Sequence, residues 1–153
     1  MTDDQQAEKP TGVGAPRIAR VVHSDPNAPA SPEQKPLPDS VVRKPVDKKS
    51  AAEWAYERLI LYIQNFEEQL DSEQEIAIGM TGGNAGVLRI EGVGYFDPDI
   101  ITFYGSDESG MRTQLVQHVS QLNVMLRALP KLEETPVARR IGFRLAEDLE
   151  QDE

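Results

Sequence analysis

Glu75-Ile76-Ala77-Ile78-Gly79-Met80-Thr81-Gly82-Gly83-Asn84-Ala85-Gly86-Val87-Leu88-Arg89-Ile90 decides the fold, because its apolar residues recur with period two on both sides of a polar, glycine-rich break. Ile76, Ile78 and Met80 alternate with Ala77 and Gly79, and Leu88 and Ile90 follow the break in the same rhythm. That pattern predicts two antiparallel strands joined by a turn at Thr81-Gly82-Gly83-Asn84. Further along, Phe96 falls on the face of Leu88 and Ile90. Gly92 and Gly94 occupy the same face without side chains, which marks a candidate groove for a ligand or another backbone. The opposite face, Val87, Arg89, Glu91, Val93 and Tyr95, is mixed. Asp97-Pro98-Asp99 suits a turn and Ile100–Tyr104 a third strand, completing a three-strand antiparallel meander.

On the N-terminal side of the hairpin, Ser50 and Glu53 form a capping box. Ala52, Tyr56, Leu59, Ile63, Phe66 and Leu70 then recur at steps of four and three, the stripe of a long amphipathic helix. Residues 1–49 differ in kind. Residues 1–50 hold eight of the eleven prolines and none of the nine aromatic residues. Residues 1–49 therefore read as a disordered, Pro-rich tail, with Pro26, Pro29, Pro32, Pro36 and Pro38 spaced for polyproline II.

C-terminal to the meander, Leu115, Val119, Leu122, Leu126 and Leu129 repeat at helical spacing, so a second helix is expected from Met111 to about Leu129, stopped by Pro130. Thr135 as N-cap and Pro136 at the first helical position predict a third helix packing Val137, Ile141 and Leu145. The acidic residues 147–153 should fray its end. The expected fold is α+β, a two-layer sandwich of helix, three-strand antiparallel meander and two helices. One domain covers 50–146.

Charge divides at the same boundary. Residues 1–50 carry 8 Lys+Arg against 7 Asp+Glu, and the remainder 8 against 19, so the domain stands at −11 and the whole chain at −10. Such a domain repels phosphate backbones and anionic membranes, so neither nucleic acid nor a membrane is expected as partner. The absence of cysteine excludes disulfides and thiolate chemistry. The start lacks a secretory signal pattern and no apolar run has the length of a membrane span, which points to the cytoplasm.

No catalytic residue, metal ligand or cofactor site emerges. His118 has no carboxylate one helical turn away and no second histidine nearby. A Ser120, His118 and Asp97 set lacks the strained elbow that presents a nucleophile. The Gly82–Gly86 run lacks the Lys-Ser/Thr and helix of a phosphate cradle. One feature departs from an ordinary solvated surface: no charged residue lies between Arg112 and Arg127. A face of neutral amides and hydroxyls, Gln114, Gln117, His118 and Gln121 foremost, suits either a partly buried interface or cover by the chain's own third helix, since amides pair across a contact without the desolvation cost of ions.

The runs Gly94-Tyr95-Phe96-Asp97-Pro98-Asp99-Ile100-Ile101-Thr102-Phe103-Tyr104-Gly105 and Gln117-His118-Val119-Ser120-Gln121-Leu122-Asn123 resemble a small bacterial family of unknown function, from about Ser50 to Leu145. The resemblance implies a bacterial cytosolic protein and contributes no activity. The expected element order is also similar to that of type III secretion chaperones, small acidic dimers, although their additional strands are missing. The expectation is a non-enzymatic protein-interaction module, an adaptor or chaperone-like homodimer with an unknown protein partner. The alternative is a small-molecule or peptide-binding domain using the Gly92–Gly94 groove, and an enzyme of unknown class comes third.

Overall fold

The computed structural model describes residues 19–80 and 86–151. The expected turn at Thr81–Asn84, the first eighteen residues of the tail and the last two acidic residues lie outside them. The class is α+β. Among the described residues the sheet has five antiparallel strands, β1 (Gln74–Met80), β2 (Val87–Phe96), β3 (Ile100–Ser106), β4 (Arg112–His118) and β5 (Val124–Pro130), in the order β4-β3-β2-β1-β5. The helices are α1 (Asp39–Val42), α2 (Ala51–Glu67) and α3 (Gly142–Gln151).

The expected second helix is a correction. Met111–Leu129 forms β4, a 3-10 turn at Val119–Gln121 and β5. β4 pairs with β3 from Ile100↔His118 to Ser106↔Arg112, and β5 pairs with the far side of β1 from Gln74↔Pro130 to Met80↔Val124. The leucine spacing fits a helix by arithmetic, but two open sheet edges satisfy the backbone of both halves. Tertiary pairing overrides so weak a local preference.

The glycine face of β2 is a second correction. Register shifts between Ile90 and Gly92. One extra residue in a strand reverses which side chains face the core beyond it. Leu88 and Ile90 are buried, but Val93 and Tyr95 take over the core face, and Phe96 is 75% exposed. Gly105 makes this bulge possible: a Cβ there would lie 1.8 Å from the carbonyl oxygen of Arg89.

α2 begins at the expected cap, the Ser50 hydroxyl accepting the Glu53 amide at 3.0 Å, but the capping box is only half made, the Glu53 carboxylate pairing with Lys44. Its Ala52, Tyr56, Ile60 and Ile63 join Ile76, Ile78, Leu88, Ile90, Ile101 and Phe103 in one core. Only five residues, Val119–Asn123, a 3-10 turn among them, connect the two edge strands. Flat, the edges of a five-strand sheet stand about 19 Å apart, and this link reaches about 16 Å at most. The sheet therefore curls, and α2 packs against β1, β2, β3 and the linking turn in its hollow.

The third helix starts later than Thr135. Thr135 closes a turn onto the Leu132 carbonyl, Val137 is exposed, and α3 opens at Gly142. Its first free amides are held by α2: the buried Glu67 carboxylate accepts from Ile141 (3.0 Å) and Gly142 (2.7 Å). α3 continues to Gln151 because Leu145 and Leu149 are both buried, so apolar packing outweighs the acidic residues expected to fray it.

The division at Ser50 also moves. Val41 is 0% exposed within the core and Leu37 packs on it. The Lys49 side chain, fully buried, pairs with Glu57 and donates to the Val41 carbonyl. A single valine and a buried ion pair need neither aromatics nor periodicity, the two signals whose absence made 1–49 read as a tail.

Candidate functional site

β4 and β5 are the two edges of the sheet, and an edge strand points every second N–H and C=O away from its neighbour. β5 is guarded: Arg127 sits mid-strand and Pro130, which lacks an N–H, closes it. β4 reads Arg112-Thr113-Gln114-Leu115-Val116-Gln117-His118 and has no charge after its first residue. Thr113, Gln114, Val116 and His118 are exposed, and among the described residues the backbone of Thr113–Gln117 bonds only to β3. The first half of the uncharged segment noticed in the sequence is thus an open strand edge, and the rest is the linking turn and the start of β5.

The four candidate interface residues do not share a face. Strand alternation puts Gln114, Val116 and His118 on the outer face, away from α2, and turns Gln117 inward. Gln117 is buried, its amide donating to the Gln121 carbonyl at 3.2 Å, while its Oε1 has no hydrogen-bond partner among the described residues. Gln121 belongs to the turn, where its side chain accepts the His118 amide at 2.9 Å.

His118 does have a carboxylate. Asp99 Oδ2 stands 3.2 Å from Nε2, and the Ser120 hydroxyl lies 2.8 Å from Nδ1. Sequence reasoning missed Asp99 because only the Ile100↔His118 pairing brings it near. The order Ser–His–Asp is that of a hydrolase relay, but the chemistry here is different. Nδ1 already accepts the Ser120 backbone amide at 3.0 Å, so the imidazole is the N-cap of the 3-10 turn. Nε2–H then donates to Asp99. Imidazole and carboxylate are 48% and 42% exposed, too open to hold a substrate in place.

Gly92 and Gly94 lie on the outer face once the bulge has reversed the strand. The space above them is taken by neighbours on β3: a Cβ at Gly92 would meet the Tyr104 ring at 3.4 Å, and one at Gly94 the Thr102 hydroxyl at 2.8 Å. Gly92 does border a cleft of about 740 Å³ between the bulge and α3, lined also by Tyr56, Ile90, Phe143 and Arg144. A second cleft of about 800 Å³ separates the arm before α1 from α2, with Arg20, Lys35, Trp54 and Tyr62 on its walls. Among the described residues, no group of three or more His, Asp or Glu could hold a metal ion, and no helix is long and apolar enough to cross a membrane.

No curated protein and no solved structure matches the chain. A family model does, over residues 44–144, a span that starts before the α2 cap, takes in all five strands and ends within α3. The chain therefore belongs to the family described as Family of unknown function (DUF6173).

Proposed function

We propose that this protein is a non-enzymatic interaction module of the bacterial cytosol, adaptor or chaperone-like in kind, that engages its partner by strand addition along β4. The observation carrying the reading is the contrast between the edges. β5 holds an arginine and a terminal proline, whereas β4 is free of charge over six consecutive residues of a domain at −11. Main-chain hydrogen bonds from an added strand supply affinity, and alternate side chains supply selectivity. Exposed Val116 (59%) and Tyr104 extend the apolar contact beside it.

The test pairs capture with mapping. The full chain, tagged, is purified from its native cells as wild type and as Gln114→Lys/Val116→Lys, two exposed outer-face positions where lysine guards an edge. A partner retained by wild type, lost from the variant and, once purified, slowing amide exchange in β4 is the expected result. A partner that survives the variant or protects a different surface defeats the reading. The cleft between the bulge and α3 supports a second reading, a small-molecule or peptide site bordered by Gly92. In that case an added ligand would protect β2 and α3 and leave β4 unchanged.

A further inference from the structure

We infer that the strand added to β4 is β4 of a second copy of this chain, antiparallel about a two-fold axis at Leu115, so that two five-strand sheets become one of ten. This rests on the strand-addition reading and names its partner. Isologous pairing of an edge with itself must be reciprocal, residue i of one copy facing residue j of the other and j facing i. Centring on Leu115 aligns all seven residues of β4, with Arg112 opposite His118, Thr113 opposite Gln117 and Gln114 opposite Val116. Any other centre leaves part of the strand unpaired.

Charge selects the same register. Arg112 is the one charged residue of β4, and its side chain makes no hydrogen bond or ion pair among the described residues. The Asp99 carboxylate sits at the other end of the strand, against His118. Antiparallel overlap carries Arg112 of each copy to Asp99 of the other, so the contact forms twice. Between acidic domains that otherwise repel, these are attractions at the seam. The alternation of the strand is also preserved: half-buried Leu115 meets its own mate on the core side, and Thr113 of the second copy comes beside Gln117, whose Oε1 lacks a partner.

The register is tested with two charge reversals, Arg112→Asp and Asp99→Lys, in the full chain. Sedimentation equilibrium should find wild type dimeric and each variant alone weakened tenfold or more, because like charges then face each other twice. An equimolar mixture of the two variants should be restored. In the mixed dimer the aspartate introduced by Arg112→Asp faces the lysine introduced by Asp99→Lys, and the unaltered Arg112 of one copy faces the unaltered Asp99 of the other. A misfolded variant would not be rescued by mixing, and circular dichroism of each checks this independently. A monomeric wild type at high concentration overturns the second copy, while protection of β4 by a different purified protein would still uphold strand addition. A dimer that ignores both reversals overturns the register, and if its β4 amides also exchange freely, strand addition at β4 falls with it.

Discussion

α2 is held on two sides by different means. Toward the sheet it is covered by Ile76, Ile78, Leu88, Ile90, Ile101 and Phe103, a continuous apolar layer. Toward the arm it is held by Val41, the buried Lys49–Glu57 pair, and polar contacts that reach solvent: Lys44 to Glu53 at 3.1 Å, Lys35 to Asn65 at 2.7 Å, and Tyr62 to Glu33. Trp54 marks the border, with the Arg58 guanidinium 4.3 Å and the Lys49 ammonium 4.9 Å from its ring centre. Apolar burial adds over area and tolerates small changes, whereas a buried ion pair depends on both its members. The arm should therefore be integral to the domain from Leu37 to Lys49 and only latched to it before that.

The largest effect should come from the sheet side. Gly105→Ala drives a methyl into the Arg89 carbonyl, so the bulge must break, and stability should fall by about 4 kcal/mol or more. Urea unfolding measures this, and a loss under about 1 kcal/mol would mean that β2 and β3 can separate there without harm. Next is Lys49→Met, which takes the paired ammonium away from the buried Glu57 carboxylate at a cost of about 3–5 kcal/mol, while Lys49→Met with Glu57→Leu should recover most of it. If the single variant melts like wild type, the arm is not part of the core. Val41→Ala should cost about 2 kcal/mol through its cavity, and proteolysis should then cut between residues 37 and 49 before it cuts α2.

The smallest effect belongs to the outer latch. The Tyr62 hydroxyl donates to Glu33, which pushes the tyrosine up to about 12 from its usual 10 and holds the Glu33 carboxyl below the usual carboxylate range. The sign follows from each. The tyrosine contribution is complete below pH 10 and disappears as pH rises toward 12. The glutamate contribution is present above its ordinary titration and disappears as pH falls through its lowered one. Because both groups touch solvent, Tyr62→Phe should cost only a few tenths of a kcal/mol. Tyrosine absorbance should show one fewer late-titrating phenol in the variant than in wild type, and the arm should be cut faster near Pro32–Gln34 in the variant. An unchanged titration would leave the arm unlatched at this point.

Legibility in the sequence followed the range of the interaction concerned. Ser50 and Glu53 announced the start of α2 because a cap is settled within four residues, and Ile76–Ile78 announced β1 because alternation is a local consequence of the pleat. The Leu115–Leu129 series was misread because 3.6-fold and two-fold periods coincide often enough over short, leucine- and glutamine-rich stretches. The β-branched Thr113, Val116 and Val124 and the turn-forming Ser120 and Asn123 were the signals against a helix. The absence of charge from Arg112 to Arg127 was visible, but its meaning depended on whether the segment was a helix or an edge.

By itself, then, the sequence determined an α+β chain with an acidic domain, a capped first helix, a hairpin-led sheet and an uncharged segment beyond it, since each of these is written in neighbouring residues. Tertiary structure alone decided that this segment is divided between the two edge strands and the turn linking them, that the bulge opposite Gly105 turns Tyr95 inward to meet Tyr56 with ring centres 4.8 Å apart, that Asp99 reaches His118, and that Val41 and Lys49 belong to the core. Each of these joins residues far apart in the chain. Their pairing is set by which backbone groups and which apolar surfaces remain unsatisfied when the rest of the fold is in place.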